Sequence, residues 1–314
     1  MIYTIYQILR TARPRQWLKN LSIFAAPIFA GVLLEESKLI LLVQAFCCFC
    51  MLSSGAYFLN DIIDAPRDRL HPVKKNRPIA SGKISNSLAW VLAFIFILTP
   101  IIYSTFFLGT FFTLSMIFYI LIQLSYSLYF RNVIILDSLV VASGFVLRVF
   151  AGGFASNTSI SSWLALATIG ISLLLAFGKR RSEKTLIAKY SLSQEQPNTR
   201  VTLKHYPDSL LDSMISMSAA YTIITYSLFV FQVSPKGSSK TISDFLPSIL
   251  KEPKWMMLTI PLVIYGVARY LYVIYEKEEG ESPERVLLSD KPLLFAVVLW
   301  GIFTMSVIYL FKLD

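Results

Sequence analysis

Asp61, Asp64 and Asp68 stand at i, i+3 and i+7, directly after an apolar run that ends in Ala56-Tyr57-Phe58-Leu59. On a continuing helix that spacing puts three carboxylates on one face. Two such charges about 4 Å apart repel by roughly 4 kcal/mol at an effective dielectric near 20. A divalent cation removes that penalty. Mg²⁺ takes oxygen ligands, keeps several waters, and is commonly shared between one or two carboxylates and substrate phosphates. Asn60 adds a further oxygen, and Arg67, Arg69, Lys74, Lys75 and Arg77 follow at once. Those cations suit the remaining phosphate oxygens. The stretch Asn60 to Gly82 therefore reads as a diphosphate–Mg²⁺ site at the mouth of a membrane helix. Its expected metal ligands are Asn60, Asp61, Asp64 and Asp68, and Arg67, Lys74 and Arg77 are expected on phosphate. Pro66 disfavours the helical region at Ala65, so it is expected to bend or end the helix and to swing Asp68 away from the other two. The bland alternative is a solvated loop whose charges only set orientation. Phased carboxylates set directly against hydrocarbon sequence weigh against it.

The elements that must carry this site are membrane helices. The 314 residues are 55% hydrophobic and only 15% charged, with a mean hydropathy of +0.61. Those values indicate an all-α, polytopic membrane bundle. About nine spans are expected, near 20–34, 39–60, 88–104, 109–128, 133–152, 160–178, 211–233, 255–275 and 292–311. Residues 1–19 read as an amphipathic helix leading into the first span, and 60–87 and 179–210 as catalytic loops of one integral-membrane domain, 1–314. No cleavable signal peptide is expected, because Arg10, Arg13, Arg15 and Lys19 interrupt the first apolar stretch.

With the N-terminus inside, 21 of the 29 Lys and Arg residues fall in inner segments and six in outer ones. That bias puts the N-terminus and the aspartate stretch on the cytoplasmic side of the cell membrane. The net charge of +10 is thus a topology signal first and a sign of anionic lipid or substrate second. Nucleic acid is not an expected partner. Cys47, Cys48 and Cys50 have neither the spacing nor the histidine neighbours of a tetrahedral metal site and read as buried apolar residues.

Other residues are open to two readings. In Arg13-Pro14-Arg15-Gln16-Trp17-Leu18-Lys19-Asn20, Trp17 suits an interface anchor and the cations suit the inner face. Tyr126 and Arg131, closing the fourth span, are either belt aromatic and flanking cation or donors to phosphate. Asp137 lies about one turn inside the fifth span, where it could join the site. Arg148, three turns further along the same face, is expected to pair with an unidentified partner. Asp208, before a span, is expected to cap it. His71-Pro72 and Arg77-Pro78 read as turns.

The string N-D-I-I-D-A-P-R-D-R resembles the first aspartate-rich motif of the UbiA superfamily of intramembrane prenyltransferases, N-D-x-x-D-x-x-x-D-R. The longer D-R-L-H-P-V-K-K-N-R-P-I-A-S-G, with G-K-R-R-S-E at Gly178 and S-P-E-R-V-L-L at Ser282, is similar to the branch that moves phosphoribose onto a polyprenyl phosphate. The resemblance runs from Arg13 to Asp290. It implies a UbiA-like bundle, Mg²⁺ as cofactor, phosphoribosyl pyrophosphate as donor, polyprenyl phosphate as acceptor, and a homotrimer. It raises Lys19 and Asn20 as pocket residues. Superfamily members that use an isoprenyl diphosphate carry a second aspartate cluster where this chain has Lys179, Arg180 and Arg181. The reversed charge implies that these three hold bare phosphate. The acceptor phosphate, largely dianionic at neutral pH, is expected to need no strong general base. Two alternatives stay open: an aromatic prenyltransferase using an isoprenyl diphosphate, and a non-enzymatic transporter or lipid-binding scaffold.

Overall fold

The computed structural model of the chain describes residues 2–70, 74–191, 206–233, 254–277 and 283–310. The turn expected at His71-Pro72, the middle of the 182–210 loop and nearly all of the outer segment 234–254 lie outside those residues. Among the described residues every regular element is helical. Helix α1 (Ile2–Ala12) leads into a 3₁₀ segment (Pro14–Phe24) and a short α2 (Ala25–Phe29). Long helices follow: α3 (Glu36–Asp68), α4 (Asn86–Phe107), α5 (Thr110–Leu128), α6 (Leu136–Ser156), α7 (Ser162–Ser191) and α8 (Asp208–Val233). After a 3₁₀ turn at Trp255–Thr259 come α9 (Ile260–Tyr272), a π-turn, a short α10 (Pro283–Ser289) and α11 (Lys291–Leu310).

Eight of these helical stretches are long and apolar enough to cross a membrane, against the nine expected. The difference lies in the first. Arg13 takes a left-handed φ of 54°, Pro14 removes a backbone donor, and the chain winds as a tighter 3₁₀ helix. No single element from 14 to 34 is therefore long enough to count. Its two ends nevertheless touch α10 and the far end of α11. Gln16 and Lys19 meet Glu284 of α10. The Leu33 N–H donates to the Tyr309 hydroxyl at the far end, 3.0 Å away.

Lipid offers no hydrophobic drive between helices, so close packing rests on small residues. Gly55 of α3 faces α4, where an added Cβ would lie 2.6 Å from the Ile97 side chain. Gly152 of α6 is tighter still, since a Cβ there would collide with the backbone carbonyl of Ile23. A backbone atom cannot swing aside as a rotamer can. Gly152→Ala is expected to push the 3₁₀ segment off α6 and to cut the yield of folded protein, read as monodisperse material in detergent. Gly301→Ala, where nothing lies within 4 Å, is expected to be silent. Large apolar residues on α4 and α5, such as Trp90, Phe94, Leu98, Phe111 and Phe118, point outward, as a hydrocarbon surround permits.

Helix α3 does not stop at Pro66. It continues through it to Asp68, which corrects the expected break. Asp68 stays on the carboxylate face and is 4% exposed. The helix ends two residues after the proline, so the one hydrogen bond the ring removes is lost where the ladder is already terminating.

Candidate functional site

Successive helices alternate in direction. The end of α3, the end of α5, the start of α6, the second half of α7, the start of α8 and α10 therefore meet at one end of the bundle, beside the 3₁₀ segment. Pairing of charges dominates that end. Asp61, 2% exposed, accepts from Arg13 at 2.5 Å and from Arg77 at 3.2 Å. Arg77 also reaches Asp68 at 2.7 Å, so one guanidinium bridges two turns of α3. Arg131, just beyond α5, donates to both oxygens of Asp64 at 2.9 Å. The Ser127 hydroxyl donates to Asn60 Oδ1. The Arg13 guanidinium lies over the Tyr57 ring, 4.9 Å from its centroid.

The donor set suits Mg²⁺ in type and register: one amide and three carboxylate oxygens on consecutive turns of one helix. One guanidinium, Arg77, reaches both Asp61 and Asp68, so the carboxylates stand close enough for the like-charge repulsion posed by the spacing. Here arginines answer it. Each carboxylate is turned onto a guanidinium, and among the described residues no three acidic side chains converge on a common metal position. The arginines that neutralise the aspartates are themselves phosphate-binding groups. A metal–diphosphate complex can take the carboxylates by its metal and the arginines by its phosphates in one exchange.

Several expected phosphate contacts turn out differently. Arg180 is 2% exposed and enclosed. Its Nε lies 2.6 Å from Asp137 Oδ2, and its other nitrogens reach Glu183 at 2.5 Å and the Tyr126 hydroxyl at 3.0 Å. Asp137 is fully buried and also accepts from the Tyr206 hydroxyl at 2.6 Å. Burial and that bond to Asp137 push the Tyr206 phenol up to about 12. Asp137 and Arg180 thus form a buried ion pair at this end of the bundle. Lys179 turns to Glu183, and Arg181 turns away to Asp208 and Asp212. Asp208 is the first residue of α8 and is ion-paired to Lys184 at 2.9 Å, so salt bridging replaces its expected capping role. Arg67 and Lys74 are exposed beside the aspartate face.

The segment before α2 also departs from expectation. Asn20 is fully buried, and its carbonyl takes a 2.7 Å bond from Arg148 Nε. Arg148 further donates to the Gly144 carbonyl at 2.7 Å and the Tyr119 hydroxyl at 2.9 Å, and lies over the Tyr119 ring. The unidentified partner of Arg148 is therefore this neutral set, and the Asn20 side chain belongs to it. Trp17 is no interface anchor, since its indole N–H donates to Ser54 inside the bundle at 3.0 Å. Lys19 does face a cavity, and Glu284 Oε2 stands 3.6 Å from its Nζ.

That cavity, of about 420 Å³, lies among α6, α7, α8, α9 and α11. Leu164, Ile171, Phe229, Val263, Leu293 and Trp300 give it an apolar wall, and Lys19, Glu284 and Tyr270 are its polar end. Asp290 pins the same end of the bundle. It accepts from both nitrogens of Arg269 at 3.0 Å, from Lys277 at 2.7 Å and from the Leu293 N–H, which caps α11. The Arg269 guanidinium holds its carboxyl well below the usual range. Sequence reasoning assigned no chemistry to Arg13, Ser127, Tyr270 or Glu284. Arg13, Ser127 and Glu284 stood within strings that carried a resemblance, and Tyr270 did not.

The sequence profile of the UbiA prenyltransferase family matches residues 23–180. A decaprenyl-phosphate phosphoribosyltransferase of Mycolicibacterium smegmatis is 31% identical over 297 residues, which is 93% of this chain and 89% of that protein. A protein of the same name from Corynebacterium glutamicum is 30% identical over 308 residues, 96% of this chain and 87% of its own. Among solved structures, a UbiA homolog from Archaeoglobus fulgidus bound to GPP and Mg²⁺ superposes with a TM-score of 0.66 at 20% identity, over 96% of this chain and 99% of its own. Helix order, the aspartate end of α3 and these likenesses agree, and the chain belongs to the UbiA prenyltransferase family.

Proposed function

We propose that this protein transfers the 5-phosphoribosyl group of phosphoribosyl pyrophosphate to a polyprenyl phosphate, with release of pyrophosphate, at the cytoplasmic face of the cell membrane. The observation that carries the reading is the near full-length similarity to decaprenyl-phosphate phosphoribosyltransferases. The site's electrostatics support it, because every carboxylate of the aspartate motif is matched by an arginine suited to phosphate. By the resemblance, superfamily members that use an isoprenyl diphosphate carry a second aspartate cluster where this chain has Lys179-Arg180-Arg181, and a site without that second metal-binding cluster favours a sugar donor over an isoprenyl diphosphate.

Asn60, Asp61, Asp64 and Asp68 would hold Mg²⁺ against the donor's pyrophosphate. Bound there, the ion supplies positive charge to the leaving group. Arg13, Arg77 and Arg131 turn from the carboxylates to phosphate oxygens, while the carboxylates turn to the metal, so each charge keeps an opposite partner through the exchange. Arg67 and Lys74, exposed beside them, suit the donor's 5-phosphate. As the C1–pyrophosphate bond lengthens, C1 gains positive character and an acceptor phosphate oxygen bonds to it. Lys19 holds the acceptor's head group, and the apolar cavity takes the first part of its chain. Tyr126, braced by Arg180, forms the wall behind.

Purified protein in detergent should release pyrophosphate from phosphoribosyl pyrophosphate only when polyprenyl phosphate is also present, and chelation of Mg²⁺ should stop it. Turnover instead with an isoprenyl diphosphate and an aromatic acceptor would replace this reading.

A further inference from the structure

The polar end of the apolar cavity contains two buried atoms with unmet hydrogen-bonding capacity. Glu284 Oε2 and the Tyr270 hydroxyl have no hydrogen-bond partner among the described residues. The Glu284 side chain is 8% exposed and Tyr270 is 5% exposed. Glu284 Oε1 is occupied by the Gln16 amide, which leaves Oε2 with Lys19 Nζ at 3.6 Å. A buried acceptor left unmatched costs about 1–3 kcal/mol, and it is placed where a ligand would be read. A carboxylate oxygen only accepts. Oε2 is ion-paired with Lys19 beyond hydrogen-bond distance, so it is open to a ligand's O–H, while Lys19 and Tyr270 are placed to donate to the same ligand's oxygens.

That donor–acceptor pattern discriminates between forms of one head group. A dianionic phosphate monoester offers no proton to Glu284 and is repelled by it. A singly protonated one donates its P–O–H to Oε2 and accepts from Lys19 and Tyr270. A carboxylate and an apolar wall both disfavour the second ionisation of a phosphate beside them, and Lys19, which favours it, is already ion-paired to that carboxylate. The charged and titratable groups that share the cavity end with Glu284 are Lys19 from the 3₁₀ segment and Tyr270 from α9. Gln16, which binds Glu284, donates its backbone N–H to the Arg13 carbonyl at 2.8 Å, and the Arg13 guanidinium binds Asp61. The 3₁₀ segment thus joins Glu284 to the aspartate motif.

Building on the transfer reading above, we propose that Glu284 is the general base of the reaction. The acceptor arrives as a monoanion. Its P–O–H bond breaks toward Glu284 Oε2 while that oxygen's electron pair forms the bond to ribose C1. The C1–O bond to pyrophosphate breaks, and pyrophosphate leaves with the electron pair. The proton then passes from Glu284 to solvent. This reverses the expectation that the acceptor needs no base.

The test is the pH dependence of transfer in wild type and Glu284→Gln, with donor saturating. Glutamine keeps the shape and the bond to Gln16 but takes no proton. Its kcat is expected to fall about 100-fold, within the usual span for a general base. Its residual rate should rise with pH, as more acceptor arrives already deprotonated, and the wild-type acid limb should disappear. Glu284→Asp should keep that acid limb at reduced kcat, which covers the case in which the glutamine variant fails to fold. Tyr270→Phe should raise KM for the acceptor more than it lowers kcat. An unchanged kcat in Glu284→Gln, or a loss confined to KM with the wild-type pH profile, overturns the base and leaves Glu284 a partner for Lys19 only. If wild type releases no pyrophosphate from phosphoribosyl pyrophosphate with polyprenyl phosphate, the transfer reading itself fails. If wild type transfers and Glu284→Gln is unimpaired, only the base assignment fails.

Discussion

Asp61→Asn is expected to lower transfer by about 10³-fold, in the range reported for loss of one electrostatic contact to a developing charge, while the protein stays folded. Asp61 has two roles that asparagine cannot fill. It is the most buried of the three aspartates, and it takes two arginines at once, Arg13 at 2.5 Å and Arg77 at 3.2 Å. With the donor bound, its charge opposes those arginines and holds the metal. The neutral amide keeps the volume but leaves two guanidiniums facing a single remaining carboxylate, Asp68. The substitution should therefore separate two quantities. Turnover with Mg²⁺ collapses, whereas pyrophosphate without metal binds at least as tightly as to wild type, because Arg13 is released to it. Asp64→Asn releases only Arg131 and should show the same pattern more weakly. Equal losses of turnover and of metal-free pyrophosphate binding would mean that Asp61 merely shapes the pocket.

Asp137→Ala is expected to have the largest effect on stability, about 3–5 kcal/mol, the usual cost of removing one partner from a buried ion pair. Arg180 is the bulkiest fully buried side chain, and without Asp137 its charge rests on Glu183 alone. The Asp137–Arg180 contact is close at 2.6 Å, but the Nε–H does not point squarely at the oxygen, so it acts as an ion pair more than as a hydrogen bond. Asp137→Ala also deprives the Tyr206 hydroxyl of its acceptor. The double variant Asp137→Ala, Arg180→Met removes both charges and should regain most of the lost thermal stability. If the double variant is no more stable than the single one, the pair is not what Asp137 maintains.

The parts of the site lying along one helix were legible in the sequence. Asn60, Asp61, Asp64 and Asp68 follow a helical spacing, and α3 carries all four. Hydropathy likewise located the eight long helices. It overstated the first, because an arginine in the left-handed region and a proline after it change the winding without changing the apolar count. Partners from distant segments were not legible. Arg13 meets Asp61, Arg131 meets Asp64, and Glu284 meets Gln16 and Lys19 only once the bundle has closed. Asn20 and Arg148 are 128 residues apart, and neither type of residue predicts the other. One correction was available in advance. Lys179, Arg180 and Arg181 are consecutive, so on a helix they fan out by about 100° each, and three such side chains cannot all reach one substrate. Arg180 faces the interior, and Lys179 and Arg181 take the flanks.

Carboxylates and arginines exchanging partners around a sugar pyrophosphate is the centre of this account, and the lipid product tests it most directly. Purified protein would be incubated with Mg²⁺, polyprenyl phosphate, phosphoribosyl pyrophosphate and an equal amount of an isoprenyl diphosphate with an aromatic acceptor, and the lipids analysed by mass spectrometry. The account predicts a polyprenyl phosphate heavier by one phosphoribosyl group and no prenylated aromatic compound, with Asp61→Asn forming neither. A prenylated aromatic product with polyprenyl phosphate left unchanged would contradict it.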